Sequence, residues 1–515
     1  MKLKNYILGI AVAGGLGMTS CCDLTPKIYS SLTTGNAYST AAGMQAAVVS
    51  LYSDLNPYPG DSWRYYAAYL VTITDYSTGM CYSTAAAPSK MAQLTYDASC
   101  IYFDRNWQDM YQVINNANMI ITKIDEAVDM SDADKKLCVA QAKFCRALAY
   151  HDLTNGWGAV PMVTEPLSID ESYDYPLTEV KTIEDELLIP DLKECIATLP
   201  AQWEGIDVAR ASKGAANMLL GKIYMRRHEY STAEPYIQSV LSGPYALEDD
   251  FREVWSEFNK QSKELIFALL HETGSNGAEI ACHYGPQQHP EVTGRWAYYG
   301  ASIGFWKSYD DNDARKYFFY YDYESTKVNG NKNMIYSVRG VRPDNDPEIV
   351  SGNVKFMDNV TPMKYTYKMI SDAYYDGRTV SVCRLSDAYL CMAEIKNNTA
   401  GVAAALPYIN KIRSRSGHNG ADITYGSAGY PVPASVEAMN EAILKERGWE
   451  FVEENMNRPD ALRLGGYDKQ VRELFAANNW PVPANLSDLH LFPYPLKEAQ
   501  KNKFMEEANK SRMPK

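Results

Sequence analysis

Apolar residues recur at steps of three and four over long stretches of this chain, and short polar turns separate them. From Lys136 onward, Leu137, Ala140, Phe144, Ala147 and Leu148 keep to one helical face. Cys138, Ala142, Cys145 and Ala149 form a second file of small residues, against which another helix can pack closely. Asn155-Gly156-Trp157-Gly158 and Pro161 then stop the helix. Upstream, Met110, Ile114, Ala117, Ile121 and Ile124 predict a helix over 107–129, paired with its successor across the polar turn 131–134. The same rhythm predicts a first helix over 41–55 and another over 183–199. Between Asn56 and Arg105 it fades into a segment carrying Trp63, Tyr65, Tyr66, Tyr69, Asp75, Tyr76, Tyr82, Tyr96 and Tyr102. A long irregular segment in a compact protein is usually functional or disordered, and this aromatic content argues against disorder.

Helix pairs repeat. The stretch 210–241 carries Leu220-Gly221-x2-Tyr224, then Tyr230, Ala233 and Tyr236, a pattern similar to a tetratricopeptide unit. Other pairs fall at 107–127 with 136–154 and at 383–397 with 402–415. Pairs that cannot bury their faces alone imply a stacked scaffold. The expected fold is therefore mainly α, built of tetratricopeptide-like helix pairs with long irregular loops and a few short strands. From Gly243 to Val382 the pattern changes. Glu264 to Leu270 is a short apolar run, a buried strand or helix, and 283–306 is rich in glycine, proline and aromatic rings. Asp310 to Arg315 lacks the glycine and terminal glutamate of an EF-hand, so it reads as structural.

With 515 residues, the chain can bury one large core or two closely packed ones. Its net charge of -13 makes nucleic acid an unfavourable partner, because phosphate backbones need a dense basic surface. Thirty-nine tyrosines and nine tryptophans supply rings of the kind carbohydrate and peptide binders use as platforms. Ten cysteines are scattered without a CxxC, so neither a zinc ribbon nor a redox motif is supported, although Cys81 and Cys100 can pair in an oxidising compartment. No HExxH or Walker loop occurs. Glu446, Arg447, Asp460 and Arg463 look catalytic by charge, but such pairs on packed helices more often tie the helices together. No enzyme, cofactor or metal is expected.

Residues 1–20 read as an export signal, with Lys2 and Lys4 before an apolar run from Tyr6 to Met18. Met18-Thr19-Ser20-Cys21 resembles a bacterial lipoprotein box. Cys21 is the favoured lipidation site and Cys22 its rival. Lipid chains on such a body would anchor it without spanning the membrane. Residues 21–45 would form the lipidated tether, 46–245 an N-terminal helical region and 246–515 a C-terminal region packed with it as one body.

The stretch 136–165 also resembles the AxARFLRAxAYFxLxxxWGxVPLVTE hallmark of SusD/RagB-like lipoproteins. Ala142, Phe144, Arg146, Ala147, Ala149, Tyr150, Leu153, Trp157, Gly158, Val160, Pro161, Val163, Thr164 and Glu165 all fall in place. Trp107-x3-Tyr111-x2-Ile114-x2-Ala117-Asn118 resembles the family's WxxxYxxIxxANxxI helix. Arg384 to Glu394 resembles RLAEVYLMYAEA, and Asn410 to Gly417 resembles NxVRxRAG. Glu446-Arg447-x2-Glu450 with Arg458-x-Asp460-x-Leu462-Arg463 resembles the IxxERRxELxxE…RxxDLxRWG signature, without its second arginine. The resemblance implies a surface-exposed outer-membrane lipoprotein that acts as lid on a SusC-like TonB-dependent transporter. Such a protein captures glycans and delivers them for uptake; relatives of the RagB kind handle peptides instead. By location in the family, it also implies ligand contacts from the 63–102 and 283–306 loops. The expected contacts are Asp75, Tyr76, Tyr82, Tyr284, Trp296, Tyr298 and Trp306.

Overall fold

The computed structural model describes residues 38–514 apart from 56–64, 168–174, 275–278 and 371–375. The export signal, Cys21, most of the tether and Trp63 lie outside the described residues.

Three of the long helices begin where the sequence offers a cap. Thr40 Oγ1 accepts the Gly43 N–H at the start of Ala41–Asp54. Ser131 Oγ accepts the Asp134 N–H at the start of Asp132–Trp157. Ser212 Oγ accepts the Ala215 N–H at the start of Lys213–Arg226. Each satisfies a donor that the first helical turn leaves open. The last residues assigned to the tether are thus already helical. The helix predicted from 107 begins six residues earlier, as Ile101–Lys123.

The predicted pairs form. Ile101–Lys123 packs on Asp132–Trp157, Lys213–Arg226 on Tyr230–Leu241, and Leu385–Ala400 on Val402–Arg413. Ile189–Thr198 lies between the first pair and the second, and Tyr230–Leu241 carries the third. Gly221 is the close approach: a Cβ there would stand 2.5 Å from Ile237 Cδ1 of the facing helix. One hydrophobic core runs from Met44 to Met505 through these helices, except Val402–Arg413. A smaller cluster of Leu390, Ile409, Ile412, Met439 and Ile443 seals the far end. Among the described residues no helix is long and apolar enough to cross a membrane.

The hallmark turn is a docking point. Gly158 takes φ +73°, and a Cβ there would meet Leu491 Cδ1 at 2.9 Å. Trp157 is fully buried and its Nε1–H donates to the Pro493 carbonyl at 2.9 Å. The start of the chain's helical scaffold is closed by its end.

Strands are short. Leu265–Leu269 pairs antiparallel with Val380–Arg384, which settles the apolar run as a strand. Asn359–Pro362 lies between Ala301–Ser302 and Phe319–Tyr320. The segment 65–102 is less irregular than its sequence. It holds the short helices Tyr69–Thr74 and Ala86–Ala92, and Tyr65, Tyr66, Tyr69, Tyr76, Tyr96 and Tyr102 are all buried. Cys81 and Cys100 do not pair; both are free thiols, with Cys81 fully buried.

Candidate functional site

The residues with the most conspicuous chemistry lie inside. Arg384 donates to Glu264 at 2.7 Å, to Glu450 at 2.7 Å and to Glu454 at 2.8 Å. Arg415 adds bonds to Glu264 and Glu450, and Arg315 bonds Glu450 at 2.8 Å and pairs with Glu446 at 2.8 Å. Arg447 bridges Asp387 and Asp460, and Arg463 joins Asp460 to Glu394. Burial alone would raise the Glu450 carboxyl, but the Arg384, Arg415 and Arg315 guanidiniums hold it well below the ordinary glutamate range. Paired across several elements and almost closed to solvent, this seam ties strands to helices.

Four of the seven expected contacts also belong to the interior. Asp75 is fully buried and accepts the Glu453 N–H at 2.7 Å and the Asn457 N–H at 3.1 Å. Burial outweighs these two donors and lifts its carboxyl to about 7. Tyr76 is buried, with its hydroxyl accepting the Gly300 N–H at 2.9 Å. Tyr284 lies between Tyr365 and Tyr299, with ring centroids 4.5 and 5.2 Å away. Trp306 is 5% exposed, donates to the Lys316 carbonyl and stacks on Tyr321. The two aromatic loops pack on each other, so much of their ring surface is consumed as core. These four side chains build the support, not the surface.

Tyr82, Trp296 and Tyr298 remain at the surface. Tyr298 is 37% exposed, and its hydroxyl has no partner among the described residues. Trp296 and Tyr82 are half-buried. Trp296 and Tyr298 stand 5.3 Å apart at 53°, one on either side of Ala297. Ala297 takes φ +50°, a left-handed backbone that costs an L-residue roughly 1–2 kcal/mol. Main-chain bonds hold it there: the Trp296, Ala297 and Tyr298 N–H groups donate to the carbonyls of Cys282, Gly285 and His283. The buried His283 ring sits behind the pair, 4.8 Å from Trp296 and 5.7 Å from Tyr298. Burial pushes its imidazole down to about 4, so it is neutral and packs as an aromatic ring.

A second loop joins this edge. The Tyr82 N–H donates to the Gly300 carbonyl, and the Asn359 amide donates to the carbonyls of Tyr82 and Ala297. The Tyr82 ring then meets Trp480 at 5.2 Å. Trp480 follows the left-handed cap residue Asn479 of the helix Tyr467–Asn478 and is half-buried. Sequence reasoning missed both Trp480 and Asn359; a tryptophan directly before Pro481 in a loop was the available signal. Beside Ala297 a cavity of about 60 Å³ opens, lined by Gln287, Tyr323, Tyr336, Lys355 and Asp358. Tilted rings beside amides and charges suit reversible stacking of a polar ring, such as a sugar, with hydrogen bonds to its hydroxyls. Among the described residues no cluster of histidine, cysteine, aspartate and glutamate is placed to hold a metal ion.

Known proteins extend these findings. A family described as the SusD family matches residues 273–509, and one described as starch-binding, associating with the outer membrane, matches residues 32–225. A SusD-like protein of Formosa agariphila is 27% identical over 435 residues, covering 78% of each chain. A SusD homolog from Bacteroides thetaiotaomicron superposes with TM-score 0.74 at 19% identity, covering 92% of this chain and 98% of the homolog. The surface glycan-binding protein A of the same organism, solved with laminarihexaose, gives TM-score 0.68 at 19% identity over 90% of this chain and 97% of its own. A solved SusD-like protein described as laminarin-binding also superposes, with TM-score 0.68 at 21% identity over 90% of this chain and 98% of its own. The two family matches lie on either half of one continuous fold, and the chain is similar to SusD-family proteins over most of its length.

Proposed function

We propose that this protein is a cell-surface glycan-binding lipoprotein that captures oligosaccharide and passes it to a SusC-like TonB-dependent transporter in the outer membrane. The observation that carries the reading is the exposed aromatic edge of Trp296, Tyr298, Tyr82 and Trp480, held rigid by a buried frame. Sugar rings would stack their C–H faces on Trp296 and Tyr298, while the Tyr298 hydroxyl and the neighbouring Gln287, Lys355 and Asp358 would bond hydroxyl groups. A rigid platform loses little entropy on binding, which favours weak ligands such as glycans. Two solved proteins of similar fold are described as laminarin-binding and as solved with laminarihexaose, and a family match names the outer membrane. Lipid on Cys21 would anchor the protein there.

The test is a glycan and peptide array on residues 23–515, followed by calorimetry of every hit. Glycan hits lost in the Trp296→Ala/Tyr298→Ala double variant support the reading. Peptide hits alone would replace it with a RagB-like peptide lid. Intact-mass analysis of the membrane-extracted protein, with Cys21→Ala as control, tests the anchor: loss of the lipid mass in the variant supports it.

A further inference from the structure

We infer that the chain carries a second saccharide subsite, sized for a single sugar ring, in the cleft between Trp203 and Tyr245. It rests on the reading of the protein as a glycan binder, but on none of the residues of the Trp296–Tyr298 edge.

The cleft has a volume of about 240 Å³ and runs between the 202–212 loop and the start of the strand Leu265–Leu269. That is just below the roughly 300 Å³ at which drug-sized sites begin, so it admits one ring rather than an extended chain. Both aromatic walls are half-buried and locked. Trp203 donates its Nε1–H to the Ala211 carbonyl at 2.8 Å, and the Arg210 guanidinium covers the ring at 5.6 Å from its centroid. Arg210 is itself tied to Asp207 and Gln141, so it is a fixed backing and not a mobile rim.

Tyr245 is given its place by two glycines. A Cβ at Gly214 would run into the Tyr245 hydroxyl, and one at Gly243 would come within 3.3 Å of its ring. Its hydroxyl pairs with Ser212 Oγ at 3.0 Å, where either group can donate. One hydroxyl proton of that pair is therefore left to offer a ligand. Around the cleft, Gln202, Gln261 and Lys263 make no side-chain hydrogen bond or ion pair among the described residues. Two uncommitted amides, one ammonium and one spare hydroxyl surround two fixed ring faces. An amide presents a donor and an acceptor together, which matches neighbouring hydroxyl groups on a pyranose, and the rings match its C–H face.

The test is fluorine NMR on the full soluble body labelled with 5-fluorotryptophan. Trp203→Phe and Trp296→Phe assign the two resonances among the nine tryptophans. Glucose, galactose, mannose and xylose are titrated singly, then laminarihexaose. A saturable shift at Trp203 with at least one of these sugars is expected. Tyr245→Leu or, at the exposed rim, Gln261→Ala should weaken it by about tenfold, the size of one lost ring contact or hydrogen bond. Movement at Trp296 alone overturns the second subsite and leaves the platform. Movement at Trp203 alone supports the subsite and overturns the platform. Movement at neither overturns both, and a Trp203 shift unchanged in both the Tyr245 and Gln261 variants also overturns the subsite.

Discussion

The buried charged seam and the exposed aromatic edge make opposite uses of their residues. The seam gathers Arg384, Arg415, Arg315, Glu264, Glu446 and Glu450, whose side chains are almost wholly shielded from water, and pairs them with one another. The edge leaves Tyr298 and its neighbours open, and places the strained residue Ala297 between them. Charge that is fully paired and dry serves the fold. Rings that are rigid yet uncovered are what a ligand can use. Signature residues fall in the first class, and the residues expected to meet ligand are not marked by any signature.

Breaking the seam should have the largest effect. Arg384→Met leaves the carboxylates of Glu264, Glu450 and Glu454 short of a partner, and should cost about 3–5 kcal/mol in urea unfolding. A loss below about 1 kcal/mol would show that Arg415 and Lys364 can take over the pairing. The aromatic edge should respond the other way. Trp296→Ala with Tyr298→Ala should reduce glycan affinity at least about tenfold while moving the melting temperature by no more than about 2 °C. A collapse in stability would mean that the two rings are core.

Asp75 tests the frame beneath that edge. Its carboxyl stands at about 7 in the folded state against an ordinary 3.8. A raised folded value means that its contribution to stability is present below about pH 4 and is lost as pH rises through 7. Between those limits the difference amounts to at most about 4 kcal/mol. Stability measured from pH 4 to 8 should therefore fall less steeply in Asp75→Asn than in the parent. An identical slope would place the titration elsewhere, for example at Asp376, which burial also lifts to about 7. The smallest expected effect is at Ala297. Glycine there relieves the left-handed strain but frees the unfolded chain, so stability should change by less than about 1 kcal/mol. Glycan affinity should still fall a fewfold, because the rings lose part of their fixed geometry.

Much of the scaffold was legible in the chain. Periodic apolar positions from Leu137 to Leu148 and from Met110 to Ile124 could be buried only on one face of a helix, so the pairing of these helices followed from spacing. Gly221 marked the close approach of a pair for the same local reason. Irregular segments gave no such handle. Tyr76 and Tyr82 lie six residues apart in one aromatic stretch, yet one is sealed in the core and the other meets Trp480 at the surface.

The sequence by itself determined the helix pairs and the hallmark turn at Trp157-Gly158, because each depends on neighbours within a few residues. Only the tertiary structure decided which rings face solvent. That choice is made by contacts far apart along the chain: Tyr76 to Gly300, Asp75 to Glu453, and Asn359 to Tyr82. Such contacts exist only once the two loops have docked, and side-chain burial is a property of that docking rather than of residue type.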